Sequence, residues 1–321
     1  MNALQIVSRG EAKFVKTDIP NLKPGYALVR PQLVSLCGSD IHLLHHSPDE
    51  MYPFPPGTSG HEIIAEIVDL QDDSETFKKG DLCLAIAPDH RGMAEYYLAP
   101  IKNLIPLASG KTVEELLMSQ QLGTVIYAAK QLPNIVGKTA VVIGQGSAGQ
   151  WFNFILRQLG AGKILGIDKI ESRLKLSENY GATQTFNNSR GSALDYLKQF
   201  NRGELAEIVV EAAGTQSSIN LSFQLAREFT GFILQFGVPR EPLKIDYYTM
   251  FTKCLNIRSI DHANSEKSHS STKMAMEMIS SGKINTKPIL THRLPFKNVN
   301  QAYELHRTGS DDCHKILIEM S

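Results

Sequence analysis

The 321-residue chain has only four cysteines, Cys37, Cys83, Cys254 and Cys313, and no two of them form a C-x-x-C pair. That excludes the dense disulfide framework of a small secreted domain and leads us to expect a reducing compartment, the cytoplasm. Charge of one sign is also lacking, because thirty-three basic residues balance thirty-three acidic ones. No long-range field would draw such a surface to nucleic acid or to an anionic membrane, so the expected partner is a small molecule or another protein. No apolar run approaches the ~20 residues that span a bilayer, and the opening MNALQIVSRGEAKFVK lacks the pattern of a leader. Internal repeats and low-complexity segments are absent as well.

What remains is a chain long enough for about two domains with proper cores. Short β-rich runs such as YALVRPQLVSL, HEIIAEIVDL and DLCLAIA, separated by Pro, Gly and Asp, predict an irregular and mainly antiparallel β domain over residues 1–122. Residues 123–262 change texture. TAVVIG, QWFNFILRQLG, KILGID, RLKLSENYGA, EIVVEAAG, SINLSFQLARE and FILQFG alternate strand and helix patterns, which predicts a doubly wound parallel sheet with helices on both faces. Residues 263–321 return to mixed α/β texture and are expected to complete the first domain.

The motif that carries most chemistry is AVVIGQGSAGQWFNFI, a strand, then Gly144, Gly146 and Gly149 in G-x-G-x-x-G spacing with Ser147 and Ala148 inside the turn, then a helix. The first glycine permits the tight turn, the second lets backbone approach a pyrophosphate, and the third lets helix pack on strand. The helix N-terminus then faces the phosphates. Asp168, nineteen residues beyond Gly149, ends the next strand. Its carboxylate can accept from both hydroxyls of the adenosine ribose and repels a 2′-phosphate, so NAD is expected over NADP. Lys169 and Arg173 lie close enough in sequence to soften that preference.

LCGSDIHLLHH at 36–46 gathers one thiol, one carboxylate, three imidazoles and a hydroxyl. A buried core rarely takes so many titratable groups, since each must be paired or neutral. Cys37 and His61 could meet across neighbouring loops, and zinc takes sulfur and nitrogen ligands. A packed cysteine and a solvated histidine are the plain alternatives.

CGSDIH at 37–42, GHE at 60–62, KKGD at 78–81, GMAEYYLAP at 92–100, the turn at 144–149, EAAG at 211–214 and GKINTKPILTHRLPF at 282–296 together resemble the zinc-type medium-chain dehydrogenase/reductases, the alcohol and polyol dehydrogenase superfamily. The resemblance runs over nearly the whole chain. It implies a GroES-like β-barrel catalytic domain, split in sequence around an inserted Rossmann domain. It also implies that Cys37 and His61 ligate zinc, that Asp40 orients His61, and that Ser39 with His42 relays the substrate proton to solvent. By the same analogy Ala213, Gly214, Phe236, Gly237 and Val238 edge the nicotinamide ribose. The HLLHH after the first motif leans towards polyol dehydrogenases.

Two departures sharpen the expectation. The family's four-cysteine lobe, which holds a structural zinc, is missing where DLCLAIAPDHRGMAEY runs straight through, so one catalytic zinc and no structural zinc is expected. The usual third ligand before the Rossmann domain is replaced by Gln120 or Gln121, amides that bring no charge, and Glu62 is expected to take the vacant position. His45, His46 and His90 are solvated loop residues or cleft residues on this reading, and Asp49, Tyr52 and Phe54 could line a pocket. Cys83 and Trp151 are expected to pack in cores. The expected activity is NAD-linked interconversion of a secondary alcohol or polyol and its ketone, by a homodimer or homotetramer. A zinc-free carbonyl reductase and a non-catalytic NAD-binding protein stay open as alternatives.

Overall fold

The computed structural model describes every residue except 72–75, 240–241, 262–265, 311 and 321. The chain divides into two compact units, Met1–Gly123 with Asn264–Ser321, and Thr124–Ala263. No helix among the described residues is long and apolar enough to cross a membrane.

In the first unit β1 (Asn2–Ser8) and β2 (Glu11–Lys16) form an antiparallel pair. The main sheet contains β3 (Tyr26–Ser35), β4 (Glu62–Leu70), β5 (Leu82–Ile86), β6 (Tyr97–Pro100), β7 (Leu104–Pro106), β14 (Leu290–Pro295) and β15 (Lys315–Glu319). Its order is β14-β15-β3-β4-β5-β7, and β6 also pairs with β3. β3 alternates buried and partly exposed side chains until Leu33, as a strand with one face on a core should. Pro31 cannot donate to the ladder, and the register shifts beside it between Pro31 and Leu33. Register then decides where the chemistry falls. Ser35 at the end of β3 pairs with Glu62 of β4 on one side and with Leu317 of β15 on the other. The starts of β4 and β15 therefore flank the exit of β3, where Cys37 and α1 (Gly38–His45) follow.

Helices α2 (Val113–Leu117) and α3 (Ser119–Ala129) carry the chain to the second unit, and α9 (Ser270–Ser280) and α10 (Val299–Thr308) belong to the returning segment. The second unit alternates β8 (Thr139–Ile143), α4 (Ser147–Gln158), β9 (Lys163–Asp168), α5 (Glu171–Asn179), β10 (Gln184–Asn187), α6 (Ala193–Phe200), β11 (Ile208–Glu211), α7 (Gln216–Leu225), β12 (Phe232–Gln235), α8 (Tyr247–Thr252) and β13 (Asn256–Ser259). All its strand pairs are parallel, in the order β10-β9-β8-β11-β12-β13. Every residue of β8 and β11 is buried, as central strands covered on both faces require. The order reverses between β8 and β11, which opens a crevice at their carboxyl ends. β10 escapes a reading of hydrophobic pattern, because QTFN sits at the sheet edge with its four residues exposed or partly buried.

Candidate active site

Asp40 organises the first unit's charged cluster. Cys37 caps α1, and its N–H donates to Asp40 Oδ2 at 2.8 Å. Asp40 Oδ1 accepts from Gly60 N–H at 2.7 Å and from Ser59 Oγ at 3.0 Å, so the carboxylate ties the turn at 37–40 to the turn before β4. It is fully buried. Burial alone would raise its pKa, but His90, His61 and the Gly60 N–H outweigh that and hold the carboxyl well below the usual range. Ser59 adopts φ 108, and its hydroxyl accepts from the buried Tyr303 phenol at 2.6 Å.

His61 stands between two carboxylates, with Nδ1 3.9 Å from Asp40 Oδ1 and Nε2 4.0 Å from Glu62 Oε1. These are ion-pair distances, too long for hydrogen bonds. Glu62 is fully buried, and the equally buried Lys315 holds both its oxygens, at 2.9 Å and 2.7 Å. Ser35 Oγ donates to the same carboxylate. Burial pushes the Cys37 thiol up while the Lys315 ammonium pulls it down. Gln121 Nε2 lies 3.9 Å from Cys37 Sγ, whereas Gln120, expected at the third-ligand position, is buried with Oε1 unpartnered.

One donor atom each from Cys37, His61 and Glu62 lie within 4.8 Å of one another, as do one each from Asp40, His61 and His90. A thiol sulfur, an imidazole nitrogen and a carboxylate oxygen form a set that suits zinc. The charge balance differs from the sequence expectation, which set the Glu62 carboxylate against the metal. Lys315 already stands against Glu62, so a Cys37 thiolate would bring the uncompensated negative charge of that set.

The remaining residues sort by what holds them. Ser39 Oγ is buried without a partner on the first turn of α1, and His42 follows three residues later on the same helix face. Burial and then Arg307 lower the pKa of His45, which belongs to the α10 side of its helix. The ring of His46 lies 6.1 Å from that of His42. In the loop that could line a pocket, Asp49 pairs with Arg9 at 2.8 Å on the surface, Tyr52 OH donates to Leu43 O at 3.1 Å, and Phe54 is core. Cys83 is core too, its thiol pushed up to about 12 by burial.

In the second unit the site is built on backbone. Gly144 has φ 91, and a Cβ on Gly149 would fall 1.9 Å from Gly144 O, so the helix packs on the turn only because that residue is glycine. Around Gly146 the space is open, with nothing within 4 Å of a Cβ there. Gly146 caps α4, whose first residues are Ser147 and Ala148. Asp168 Oδ2 accepts from Gln145 N–H at 2.6 Å, and Oδ1 from Lys169 N–H at 2.7 Å and Ile170 N–H at 3.0 Å. The carboxylate thus fixes the turn and retains acceptor capacity on Oδ2. Lys169 is exposed and Arg173 half-buried on α5. The loops after β11 and β12 meet at Glu211. Its Oε1 accepts from Ala213 and Gly214 N–H at 2.8 Å each, and its carbonyl from Phe236 and Gly237 N–H at 2.9 Å each. Phe236 packs edge-on against Phe152 at 4.9 Å, and Val238 is exposed. Trp151 is fully buried in α4.

The zinc-binding dehydrogenase family matches residues 148–281, and the alcohol dehydrogenase GroES-like domain family matches residues 23–109. The chain is a zinc-type medium-chain dehydrogenase/reductase. A D-xylulose reductase A from Aspergillus oryzae is 26% identical to it over 332 residues, covering 93% of this chain and 91% of that protein. A probable D-xylulose reductase A from Aspergillus terreus is also 26% identical, covering 93% of both chains. Among solved structures, an alcohol dehydrogenase from Thermus sp. ATN1 superposes with a TM-score of 0.85 at 23% identity over 100% of both chains. Galactitol-1-phosphate dehydrogenase from Escherichia coli gives 0.84 at 20% identity, again over 100% of both. These two show the shared fold. In this dehydrogenase Lys315, Ser59, Tyr303 and Glu211 are the residues that reading the sequence missed. A lysine inside the apolar run HKILIEM was the one available signal.

Proposed function

We propose that this dehydrogenase interconverts a polyol or sugar-like secondary hydroxyl and its ketone, with NAD as hydride carrier and a single zinc held by Cys37, His61 and Glu62. The observation that carries the reading is that cluster of three unlike donors within 4.8 Å. The names of the relatives support the substrate class, since two are xylulose reductases and a structural neighbour acts on a hexitol phosphate. When bound, zinc supplies a Lewis acid that polarises the substrate oxygen and lowers the pKa of its hydroxyl. The chain's own groups do the rest. Cys37 and Glu62 bring anionic donors, Lys315 limits the charge that Glu62 delivers, and Asp40 biases His61 electrostatically. Ser39 Oγ takes the substrate proton and His42, one turn on, passes it to solvent. On the cofactor side, Gly144, Gly146 and Gly149 would admit the pyrophosphate and Asp168 would receive the ribose hydroxyls. When bound, NAD would supply the hydride acceptor.

A second reading, a metal-free carbonyl reductase, draws support from the glutamines at the third-ligand position and from Lys315 beside Glu62. Elemental analysis beside a panel of alcohols and polyols with NAD tests the two. About one zinc per chain with metal-dependent turnover supports the first, and full turnover without metal supports the second. Four scattered cysteines with no C-x-x-C pair fit a reducing compartment such as the cytoplasm. We also infer at least a homodimer, because β13 is an edge strand and Tyr247, Tyr248 and Phe251 nearby in sequence are strongly exposed. A monomer at micromolar concentration in analytical ultracentrifugation would refute this.

A further inference from the structure

Residues 87–96 join β5 to β6, and His90 among them adopts φ 52, a left-handed conformation uncommon for any residue with a side chain. Neighbours hold the turn there. His90 N–H donates to Ala87 O at 3.0 Å, its carbonyl accepts from Ser59 N–H, and Gly92 N–H donates to Gly60 O at 3.0 Å. The Arg91 guanidinium reaches Pro56 O at 3.2 Å, and Tyr97 OH donates to Asp89 Oδ1 at 2.8 Å. Backbone strain persists only where the surroundings over-determine it, and it concentrates at functional sites. Here it places an imidazole.

The imidazole lies against His61, with ring centroids 4.3 Å apart and planes at 57°. Nδ1 of His90 is 4.0 Å from Asp40 Oδ1, and Nδ1 of His61 is 3.9 Å from the same atom. Both nitrogens are buried without a hydrogen-bond partner. Asp40 Oδ1 already accepts from Gly60 N–H and Ser59 Oγ, which is the ordinary complement of one carboxylate oxygen. Asp40 therefore attracts His61 but does not pin its ring with a short hydrogen bond. The His90 ring, tilted at 57° against that of His61 and 4.3 Å from it, can supply the missing restraint.

We propose that His90 is a positioning residue that fixes the ring plane of His61, a role resting on the zinc reading above. If the ring were free to tilt, Nε2 would leave the position it shares with Cys37 Sγ and Glu62. The test uses the full chain and zinc alone, with affinity read by chelator competition and ligand geometry by the visible spectrum of the cobalt(II)-substituted protein. His90→Asn accepts the left-handed backbone and keeps a polar tip but removes the ring face. It is expected to weaken zinc binding by about 10- to 100-fold, the range for groups that orient metal ligands, and to alter the cobalt spectrum. His90→Phe restores a face without nitrogen, and is expected to recover most of the affinity and the original spectrum; His90→Tyr replaces it should the phenylalanine variant not fold. NAD affinity should be unchanged throughout. Undiminished zinc affinity in His90→Asn overturns the proposal, and so does a ring variant that binds as weakly as His90→Asn, because a nitrogen and not a face would then be at work. If the unsubstituted protein binds no zinc, the zinc reading falls first and the role of His90 with it.

Discussion

The nucleotide turn of the second unit is built from nearby chain: one turn between β8 and α4 supplies Gly144, Gly146 and Gly149, and the next strand supplies Asp168. The site in the first unit is built from side chains that lie far apart in sequence, since Cys37, His61, His90, Gln121 and Lys315 come from five separate segments. A backbone site depends on the absence of side chains and tolerates little added volume. A side-chain site depends on charges being paired, and its weak point is the loss of a partner. Substitutions should therefore fail in different ways in the two units.

The sharpest break is expected at Lys315. Lys315→Met leaves a fully buried Glu62 carboxylate without its cation, which costs about 3–5 kcal/mol for an uncompensated buried charge. Chemical denaturation should register that loss, and Glu62→Gln added to Lys315→Met should return much of it. If the single variant is as stable as the unsubstituted protein, the pair is not holding the cluster. Next comes Asp168→Ala, which should narrow the preference for NAD over NADP by about 10- to 100-fold, the scale of hydrogen bonds to a charged acceptor. Titration of both cofactors measures it, and an unsubstituted protein that prefers NADP would contradict the assignment of Asp168. Gly149→Ala pushes a methyl into Gly144 O, and overpacking of this kind typically costs about 1–3 kcal/mol. Here NAD affinity should fall while zinc content does not, which separates the units. The smallest effect is expected from Gln120→Ala, whose metal content under a fixed dialysis protocol should match that of the unsubstituted protein; zinc loss there would bring Gln120 into the ligand set.

The same contrast explains what could be read from the sequence. Glycine spacing after TAVVIG, the carboxylate closing KILGID and the strand-helix alternation through EIVVEAAG and FILQFG are short-range signals, and the strands β8, β9, β11 and β12 with their helices follow from them. Cys37, Asp40, His61 and Glu62 were legible because a family pattern marks them. The pairing of Glu62 with Lys315 was not, because it depends on the register of β15 against β3 across more than 250 residues of chain. Nor was the position of His90 over His61. It arises where the turn at 87–92 docks on the turn at 57–60 through the hydrogen bonds Ser59 N–H to His90 O and Gly92 N–H to Gly60 O, which join segments some thirty residues apart. Asp49 and Phe54 lie close in sequence to the ligands, yet the contacts that hold them, the Arg9 ion pair and the core, were not legible there.

The most direct test of the account is NAD reduction by a panel of pentitols and hexitols, measured on purified protein, on the same protein stripped of metal by a chelator, and after zinc is returned. Turnover on at least one polyol, lost on stripping, regained with about one equivalent of zinc per chain and absent in Cys37→Ser is the expected result. Full turnover in the stripped protein, or in Cys37→Ser, would contradict it.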